Sequence, residues 1–443
     1  MLLSQNFRRL LTFFAALLLS HVLLGVLNAL RIISADREKR CPEHYIERFV
    51  KNSEYYGRVV STVACRVMGQ DAYITCDPKN IQAMLATQFS DYGLGHNRAS
   101  IFFPLLGHGI FSVDGPRWEH ARALMRPQFA RERVSELDLE ERHLQNLLKA
   151  IEAPGRDGWT PVVDLQPLFF RLTLDSATEF LFGESVDSQL IALPGSTSKV
   201  IHGGVDEQTF SESFDEVQDW MAFASRLGAW HKLGHTKRFY KCAAQLHKHI
   251  DYFVNLALQQ KTDEDIDKSS FNILKGLAKV EKDPIELRGQ LLSILVAGRD
   301  STASLLGWFF LMMCKHPEIY EKLRQTIMHD FGDWKTCDPA EITFSGLKSC
   351  TFLQMCISET LRLFPLVPIN GRTAIVKDTT LPTGGGPDGS APIFVPKGME
   401  IQYCVHAMHH RKDLWGEDTE DFRPERFKEA RPGWDYLPFN GKS

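Results

Sequence analysis

The hydrophobic pattern begins with an uncharged stretch close to the N-terminus. Residues 10–30 contain no charged side chain, and a run of this length is about what is needed to cross a ~30 Å hydrocarbon core. Basic residues flank the stretch, with an excess on its C-terminal side that favours a cytosolic location for the rest of the chain. They are Arg8, Arg9, Arg31, Arg37, Lys39 and Arg40. A cleaved secretory signal, the alternative, would have a shorter apolar core followed by small residues. We therefore predict a membrane anchor within residues 1–33, in a single-pass protein of the endoplasmic reticulum membrane.

Downstream of residue 33 the pattern is mainly helical, with short extended segments near both ends. Residues 58–77 are rich in β-branched side chains and are interrupted by Met-Gly-Gln-Asp, which predicts a hairpin. From Pro78 onward apolar residues recur mostly with helical spacing. Residues 185–214 are polar, so we expect a loop there, and the turn-rich residues 380–402 predict small strands. The sequence predicts a mainly α fold with a minor β portion, in one domain over residues 34–443.

One predicted helix has polar residues at the centre of an apolar sequence. Residues 291–314 are apolar on almost every side, which predicts deep burial. Charged groups and a glycine inside such a helix are costly. The residues concerned are Gly298, Arg299, Asp300, Ser301 and Thr302. The hydroxyl groups can bond backward to carbonyls and open a groove for a diatomic ligand, where Asp300 would relay protons and Ser301 would donate to the bound oxygen. The alternative is a kinked core helix whose polar cluster pairs with another segment.

A second pattern is a glutamate three positions before an arginine. It recurs along the chain, and most such pairs are solvated neighbours worth a few tenths of a kcal/mol. The pair Glu359 and Arg362 differs because it lies on an amphipathic helix that ends at Pro365, and a Phe-Arg-Pro-Glu-Arg-Phe run containing Arg426 follows. If Glu359, Arg362 and Arg426 are buried together, bidentate bonds would compensate their charges. We predict that these three residues form a structural clamp and perform no chemistry.

Donors suited to carboxylates occur at two further places. Trp118 and Arg122, at positions i and i+4, project from one helix face and put two donors side by side. Such a pair suits a carboxylate, although an ordinary aromatic–cation pair on a surface helix has the same spacing. Arg372 follows the clamp helix in an extended segment that could direct it toward a second carboxylate.

Composition narrows the class of protein. A chain of 443 residues with 44% hydrophobic content can bury a large core, and a formal charge of -4 indicates no nucleic-acid partner. The nine cysteines are odd in number and scattered, without a Cys-x-x-Cys pair. This predicts reduced thiols in a cytosol-facing protein, and neither a disulfide framework nor a zinc site.

The order of the motifs along the chain resembles the cytochrome P-450 family. A Trp-x-x-x-Arg helix is followed by Ala-Gly-Arg-Asp-Ser-Thr, Glu-x-x-Arg, Phe-Arg-Pro-Glu-Arg-Phe and Pro-Phe-Asn-Gly. The resemblance runs from the predicted anchor to the last residue and is closest to the fungal branch that hydroxylates n-alkanes and fatty acids. Stretches characteristic of that branch are MLATQF (84–89), LLGHGIFSVDG (105–115), LMRPQFARE (124–132) and LTLDSATEFLFGESV (172–186). The fold implied is that of a cytochrome P-450, incomplete at its C-terminus.

The resemblance implies a haem cofactor, iron protoporphyrin IX, and assigns roles to residues. Those implied to bind the cofactor are Trp118, Arg122 and Arg372 at the propionates, Ala297 and Gly298 at the distal pocket, and Phe439 in the haem-binding loop. Those implied in oxygen activation are Asp300, Ser301 and Thr302. Electrons would come from NADPH through NADPH–cytochrome P-450 reductase. The substrate would be a long-chain apolar molecule that enters from the membrane.

Two positions depart from the family pattern. The family usually has threonine after the helix aspartate, where this chain has Ser301; the hydroxyl is kept, but the missing methyl could loosen the oxygen pocket. The family places its iron-ligating cysteine seven residues after Phe439, which is three positions beyond Ser443, so no metal ligand is predicted within the chain. Histidine ligates haem iron in other families, and the candidates for such a substitution lie near Cys404. They are His406, His409 and His410.

Two functions are therefore compatible with the sequence. The first is a membrane-bound monooxygenase that uses O2 to hydroxylate terminal or near-terminal C–H bonds of long-chain n-alkanes or fatty acids. The second is a non-catalytic truncated product, or a gene model broken at a splice site, without stable haem-thiolate binding. The final Gly-Lys-Ser can be encoded by GGT-AAG-TC, which contains the usual start of a eukaryotic intron. Because the cysteine is missing, we expect this 443-residue chain to be inactive.

Overall fold

The computed structural model describes residues 42–67, 70–129, 137–151, 155, 158–196, 201–259, 272–333, 337–338 and 341–441. The chain divides into two compact units, Met1–Val60 and Ser61–Ser443. The first unit contains helix α1 (Pro42–Tyr56). The predicted anchor at residues 10–30 lies outside the described residues. Within the described ranges, no helix combines the length and the apolar character needed to span a membrane.

The second unit is mainly helical. Its α-helices are α2 (Pro78–Gln82), α3 (Gly95–Leu106), α4 (Pro116–Met125), α5 (Asp138–Lys149), α6 (Leu165–Phe182), α7 (Ser188–Ile191), α8 (Glu207–Leu227), α9 (Lys237–Gln259), α10 (Ile273–Val280), α11 (Pro284–Lys315), α12 (Pro317–Phe331), α13 (Phe344–Ser349), α14 (Thr351–Leu363), α15 (Val405–His409), α16 (Lys412–Trp415) and α17 (Arg426–Glu429). A π-helix and three 3-10 turns also occur, at Ala83–Thr87, Phe89–Asp91, Arg126–Phe129 and Gly228–Leu233. The predicted class, mainly α with a minor β portion, is confirmed.

Short strands form three sheets in the described part of the second unit. They are β1 (Thr62–Val67), β2 (Gln70–Thr75), β3 (Tyr92–Gly93), β4 (Ile201–His202), β5 (Val205–Asp206), β6 (Ile369–Ala374), β7 (Thr379–Gly385), β8 (Ala391–Val395) and β9 (Glu400–Cys404). The largest sheet has the order β1-β2-β9-β6-β3, and β2 runs parallel to β9 with Thr75 opposite Tyr403. The antiparallel pair β1–β2 is the predicted hairpin, and β7, β8 and β9 are the small strands predicted for residues 380–402.

Helix α11 runs through the main hydrophobic core. Its first half is buried in one cluster with side chains of α6, α8 and α9. The buried residues of that half include Leu287, Leu291, Leu292 and Leu295. Helix α6 lies directly against α11, where Gln166 Nε2 donates to the carbonyl of Ala303 at 3.3 Å. The second half is less enclosed, since Trp308 and Phe310 remain 39% and 43% exposed. The predicted burial on every side therefore holds only for the first half.

The prediction of a loop over residues 185–214 is wrong at its C-terminal end. Helix α8 already begins there, capped by Asp206, whose carboxylate accepts the N–H of Thr209 at 2.8 Å. Phe210 and Phe214 on this helix are completely buried. These two phenylalanines are four positions apart and share one helix face. Because the residues around them are polar, this helical spacing was overlooked in the sequence. The earlier part of the segment contains α7 and the pair β4–β5.

Candidate functional site

A stripe of small and polar residues runs along one side of α11 at its centre. Ile294, Ala297, Gly298, Ser301 and Thr302 follow the spacing of one helix face. Ala297 and Thr302 are exposed although the helix passes through the core, and a methyl group on Gly298 would meet no atom within 4 Å. Ser301 Oγ donates to the carbonyl oxygen of Ala297 at 2.6 Å, a backward bond of the kind expected from the sequence. The stripe therefore borders an open space.

The neighbouring charged residue, Arg299, bonds to helix α8. It is buried, and its Nη1 lies 2.5 Å from Asp215 Oδ1 and 3.1 Å from Asp300 Oδ1. Its guanidinium carbon is 5.0 Å from the ring centre of Phe170 and 5.2 Å from that of Phe214, which is cation–π geometry. A polar cluster paired with another segment was the alternative interpretation of this helix. The structure shows both features on one helix: Arg299 forms an ion pair with α8, and the stripe beside it faces an open space.

Asp300 connects the paired cluster to the stripe. Burial raises the pKa of its carboxyl above the ordinary value, although Arg299 and a hydrogen bond with the Gln218 side chain act in the opposite direction. The nearby Asp215 carboxylate also raises this pKa. The side chain of Asp300 is still partly exposed. A carboxyl with a raised pKa and access to solvent is suited to taking up and releasing protons.

Two arginines from distant parts of the chain come together beside the largest sheet. Arg98 on α3 donates from Nη1 to Asn370 Oδ1 at 2.7 Å, and its buried Nε has no hydrogen-bond partner among the described residues. Arg372 on β6 donates to the carbonyl of Gly371 at 2.8 Å. Burial, and then the nearby charge of Arg372, lowers the pKa of Arg98 to about 10. Two adjacent guanidinium groups with an unused donor are complementary to carboxylates. From the sequence, Arg372 was expected to bind a carboxylate, and no role was predicted for Arg98.

Trp118 and Arg122 form a stacked pair on α4. The guanidinium carbon of Arg122 is 5.3 Å from the Trp118 ring centre, and the Phe89 ring lies 5.2 Å from the same indole. This is the aromatic–cation pair that the spacing left open as an alternative to carboxylate binding. Stacking uses the face of a guanidinium, whereas carboxylates bind at its N–H edge. The two interpretations are therefore compatible.

Glu359 and Arg362 are completely buried on α14. Arg362 Nε and Nη2 donate to the two carboxylate oxygens of Glu359 at 2.8 and 2.9 Å, which is the bidentate geometry. Arg426 Nε and the backbone N–H of Arg423 also donate to Glu359, at 3.4 and 3.0 Å. Arg362 Nη1 donates to the carbonyl of His409 at 3.0 Å. The cluster thus joins α14 to α15 and to the start of α17.

The histidines near Cys404 have structural partners. Buried His409 donates from Nδ1 to the carbonyl of Arg362 at 3.1 Å and accepts the N–H of Leu437 at Nε2 at 2.9 Å. Burial lowers its pKa to about 3. His410 Nδ1 donates to the carbonyl of His406 at 2.8 Å. With both ring nitrogens of His409 engaged by the backbone, the alternative in which this histidine ligates iron does not fit the geometry.

Four of the buried cysteines are held as neutral thiols. The eight cysteines within the described ranges are free, in agreement with the prediction of reduced thiols. Burial raises the pKa of four of them, that of Cys356 to about 12. The other three are Cys76, Cys242 and Cys350. The thiolate, and not the thiol, binds metals, so these four side chains are poor candidates for an iron ligand.

The segment around Phe439 is fixed by strand β9 and by a tryptophan. The Tyr403 hydroxyl donates to Asn440 Oδ1 at 2.9 Å, and Asn440 has a φ of 63°. A side chain at Gly441 would place its Cβ 2.5 Å from the Trp434 ring, so only glycine fits there. Phe439 itself is 71% exposed. The segment therefore has a defined path and presents the phenylalanine outward.

Comparison with known proteins identifies the family of the chain. The sequence profile of the family described as cytochrome P-450 matches residues 33–441. The chain belongs to the cytochrome P-450 family. It is 45% identical over 426 residues to cytochrome P-450 monooxygenase g430 of a Fusarium species, covering 94% of this chain and 72% of that protein. It is 41% identical over 421 residues to cytochrome P-450 monooxygenase alt2 of Alternaria solani, covering 93% and 77%. It is 44% identical over 376 residues to cytochrome P-450 52A3-B of Candida maltosa, covering 83% and 70%.

Members of the cytochrome P-450 family are oxygenases that carry a haem with a thiolate-bound iron and receive electrons from a reductase. The predictions of an oxygenase and of a haem cofactor are confirmed by the family. The residues present fit the edge of the porphyrin and its propionates, whereas the four buried cysteines with raised pKa are poor ligands for its iron. The stripe at Ala297 and Gly298 gives a small-residue border to an open space, and Arg98 and Arg372 supply the positive charge and the unused donor that propionates require.

Proposed function

We propose that this cytochrome P-450 hydroxylates the terminal or near-terminal C–H bonds of long-chain n-alkanes or fatty acids. Its electrons come from NADPH through NADPH–cytochrome P-450 reductase at the endoplasmic reticulum membrane. The proposal is supported by the stretches that resemble the fungal alkane and fatty-acid hydroxylases and by similarity to a Candida relative. The uncharged residues 10–30 support the membrane location.

The observation that carries the proposal is the open stripe on α11. Ile294, Ala297 and Gly298 provide a narrow apolar border with no side chain projecting from Gly298. An unbranched hydrocarbon chain can lie against such a surface, and burial of apolar area contributes about 25 cal/mol per Å². On α11 itself the polar residues next to this border are Asp300, Ser301 and Thr302. The site therefore suits a substrate whose reacting end is itself apolar.

The polar residues of α11 have separate tasks in the reaction. Bound haem supplies the iron that activates O2. Asp300, with its raised pKa and partial exposure, takes protons from solvent. Ser301, whose hydroxyl is anchored on the Ala297 carbonyl, holds a proton at Oγ beside the open space. Arg299, fixed to α8 through Asp215, keeps the Asp300 carboxyl in position.

The experiment is turnover in microsomes that contain this chain and the reductase. Dodecane or dodecanoate is supplied with NADPH, and products are identified by gas chromatography–mass spectrometry. The proposed monooxygenase gives terminal or near-terminal alcohols, whereas the inactivity expected from the sequence gives no product. Asp300→Asn should lower the rate at least tenfold, because a positioned acid or base contributes roughly 10²–10⁴-fold. Oxidation only at mid-chain carbons, or oxidation of aromatic substrates in preference to these chains, would contradict the proposal.

A second candidate is a non-catalytic form that lacks haem-thiolate binding. The observation that favours it is the neutral state of the buried thiols, which leaves Cys76, Cys242, Cys350 and Cys356 poorly suited to iron. A carbon-monoxide difference spectrum of the reduced 443-residue chain separates the two candidates. A Soret band at the haem-thiolate position supports the monooxygenase, and a spectrum without that band supports the non-catalytic form.

A further inference from the structure

One face of helix α8 lies against the two charged residues at the centre of α11. Asp215 and Gln218 are three positions apart, and Phe214 and Gln218 are four apart, so the three side chains share that face. Phe214 and Asp215 both contact the guanidinium of Arg299. Gln218 forms a hydrogen bond with the side chain of Asp300. Helix α8 therefore takes part in fixing the surroundings of both residues.

Arg299 is shared between two carboxylates. Its Nη1 lies 2.5 Å from Asp215 Oδ1 and 3.1 Å from Asp300 Oδ1. Its buried Nε has no hydrogen-bond partner among the described residues. A bidentate pair such as Glu359 and Arg362 instead directs two nitrogens to one carboxylate. Neither aspartate receives a pair of that kind, so the two carboxylates compete for one donor nitrogen.

The position of the Arg299 guanidinium is set by neighbouring helices. Its carbon lies 5.0 Å from the ring centre of Phe170 on α6 and 5.2 Å from that of Phe214 on α8. The side chain is only 5% exposed. Consecutive residues of a helix do not face each other, so the adjacent Asp300 is less well placed to hold Arg299 than Asp215 is. The cation therefore stays directed toward α8.

The direction of Arg299 affects the proton on Asp300. Within the described part of the chain, the charged groups that act on Asp300 are Arg299 on its own helix and Asp215 on α8. Burial raises the pKa of Asp300 most, Arg299 lowers this pKa, and Asp215 raises it. Because Arg299 is held toward Asp215, its charge compensates the Asp300 carboxylate only in part. A carboxylate that is compensated only in part takes up a proton more readily.

We propose that Asp215 is a positioning residue for proton delivery by Asp300. It holds Arg299 against α8 and so prevents Arg299 and Asp300 from closing into a full ion pair, in which Asp300 would remain a carboxylate. Asp215 acts through Arg299 and transfers no proton itself. The inference rests on the proposed function for the use of the proton, and it extends the machinery from α11 to a residue of α8.

The test is an infrared titration of the full chain without haem. The carboxylic C=O band of Asp300 is identified as the band that is missing in Asp300→Asn, and its intensity is followed against pH. We expect Asp215→Asn to weaken proton binding at Asp300 about threefold, the scale of a partly solvated ion pair. Asp215→Glu keeps the charge and can still reach Arg299, so it should titrate like the wild type.

The matched control is Asp219→Asn. Asp219 is an exposed aspartate one turn further along α8, and it is not among the groups that shift the pKa of Asp300. Its substitution should leave the titration unchanged. An unchanged titration in Asp215→Asn, or an equal change in Asp219→Asn, would overturn the proposal. Tighter proton binding in Asp215→Asn would also overturn it, because Arg299 would then have moved away from Asp300.

A second comparison asks whether Asp215 acts through Arg299 or directly as a like charge. In an Arg299→Gln background, Asp215→Asn should have less than half of its effect on the Asp300 titration, since the shared donor is gone. An equal effect in both backgrounds would show that Asp215 is not a positioning residue. If Arg299→Gln does not fold, the comparison of Asp215→Asn with Asp215→Glu and Asp219→Asn still decides the proposal.

The titration and the turnover experiment fail separately, because the titration requires neither haem nor O2 nor a reductant. A chain in which Asp215 controls the Asp300 band and which oxidises nothing would refute the proposed function alone. A chain that oxidises dodecane while the Asp300 band is indifferent to Asp215 would refute the positioning role alone.

Discussion

At the scale of single residues, burial decides what a charged side chain does in this protein. Glu359 and Arg362 have the same three-residue spacing as Glu321 and Arg324. The first pair is completely buried and bidentate. The second pair is 3.8 Å apart and about half exposed. The spacing alone could not separate them, and the distinction came from the neighbouring Arg-Pro-Glu-Arg run.

Arg362→Met should therefore be strongly destabilising. It leaves the Glu359 carboxylate buried with only the weaker 3.4 Å bond from Arg426 as an ionic partner. Removing one member of a buried pair costs about 3–5 kcal/mol. Arg324→Met is the matched control and should cost less than about 1 kcal/mol. Urea unfolding of both variants checks the prediction, which fails if the two losses are equal.

His409 makes the stability of the fold depend on pH. Its pKa is about 3 in the folded protein and ~6.5 when unfolded. The unfolded chain therefore binds a proton that the folded chain excludes, so stability is lost as pH falls below 6.5. Between pH 7 and pH 5.5 we expect the wild-type protein to lose about 1 kcal/mol more than His409→Gln.

The control for this effect is His329→Gln, because His329 is 87% exposed on α12. It should follow the wild-type pH profile. His249, whose pKa burial also lowers to about 3, contributes equally to all three proteins and cancels in the comparison. Identical urea midpoints for wild type and His409→Gln at both pH values would show that His409 is not the responsible group.

At the scale of elements, α11 combines a packed side and an open side in one helix. Gly289 lies against the end of α3, and a Cβ there would be 2.6 Å from the Leu106 carbonyl oxygen. Gly298 lies nine residues further on the same helix, and a Cβ there would meet nothing within 4 Å. The two glycines are therefore present for different reasons. The first permits close packing, and the second keeps space beside the stripe.

The same substitution at these two positions should have opposite effects on stability. Gly289→Ala forces backbone to move and should cost about 1–3 kcal/mol. Gly298→Ala should stabilise the haem-free chain by up to about 1 kcal/mol, the gain in helix propensity, while weakening haem and substrate binding. Chemical unfolding of the haem-free proteins and haem titration check both expectations. A destabilised Gly298→Ala chain would mean that the space beside the stripe is occupied by protein.

Strands and hairpins with a characteristic sequence pattern of their own were predicted. Features that depend on contacts with distant parts of the chain were not. The hairpin β1–β2 and the strands of residues 380–402 follow from turn residues and β-branched runs. Helix α8 was missed at its start because Phe210 and Phe214 lie among polar residues. Arg98 was missed because its partner Asn370 is 272 residues away, and no local pattern encodes that contact.

At the scale of the whole molecule, the largest sheet joins the two ends of the second unit. β9 lies between β2 and β6, with Ile401 opposite Tyr73 on one side and Arg372 on the other. The motifs reveal the family because each has its own short spacing. The order of the strands in the sheet could not be predicted in that way, because it depends on the pairing of β2 with β9, which are more than 300 residues apart.

Ile401→Pro should prevent stable folding of the second unit. Proline removes an N–H donor and is excluded from the middle of a sheet, and Ile401 is completely buried. Ile393→Pro is the matched control, because Ile393 lies in the separate two-stranded sheet β7–β8. We expect limited proteolysis to degrade the first variant and to leave a resistant core in the second. Equal resistance would show that β9 is not required to close the sheet.

The parallel pairing of β2 with β9 has a consequence for synthesis of the chain. About 325 residues separate Thr75 from Glu400, so at translation rates of about 5–20 residues per second roughly 15–65 s pass before β9 is made. During this interval the hairpin has an unpaired edge of the kind that recruits other extended chains. The nascent polypeptide is thus expected to need a chaperone at the ribosome, bound to β2 until its partner strand emerges.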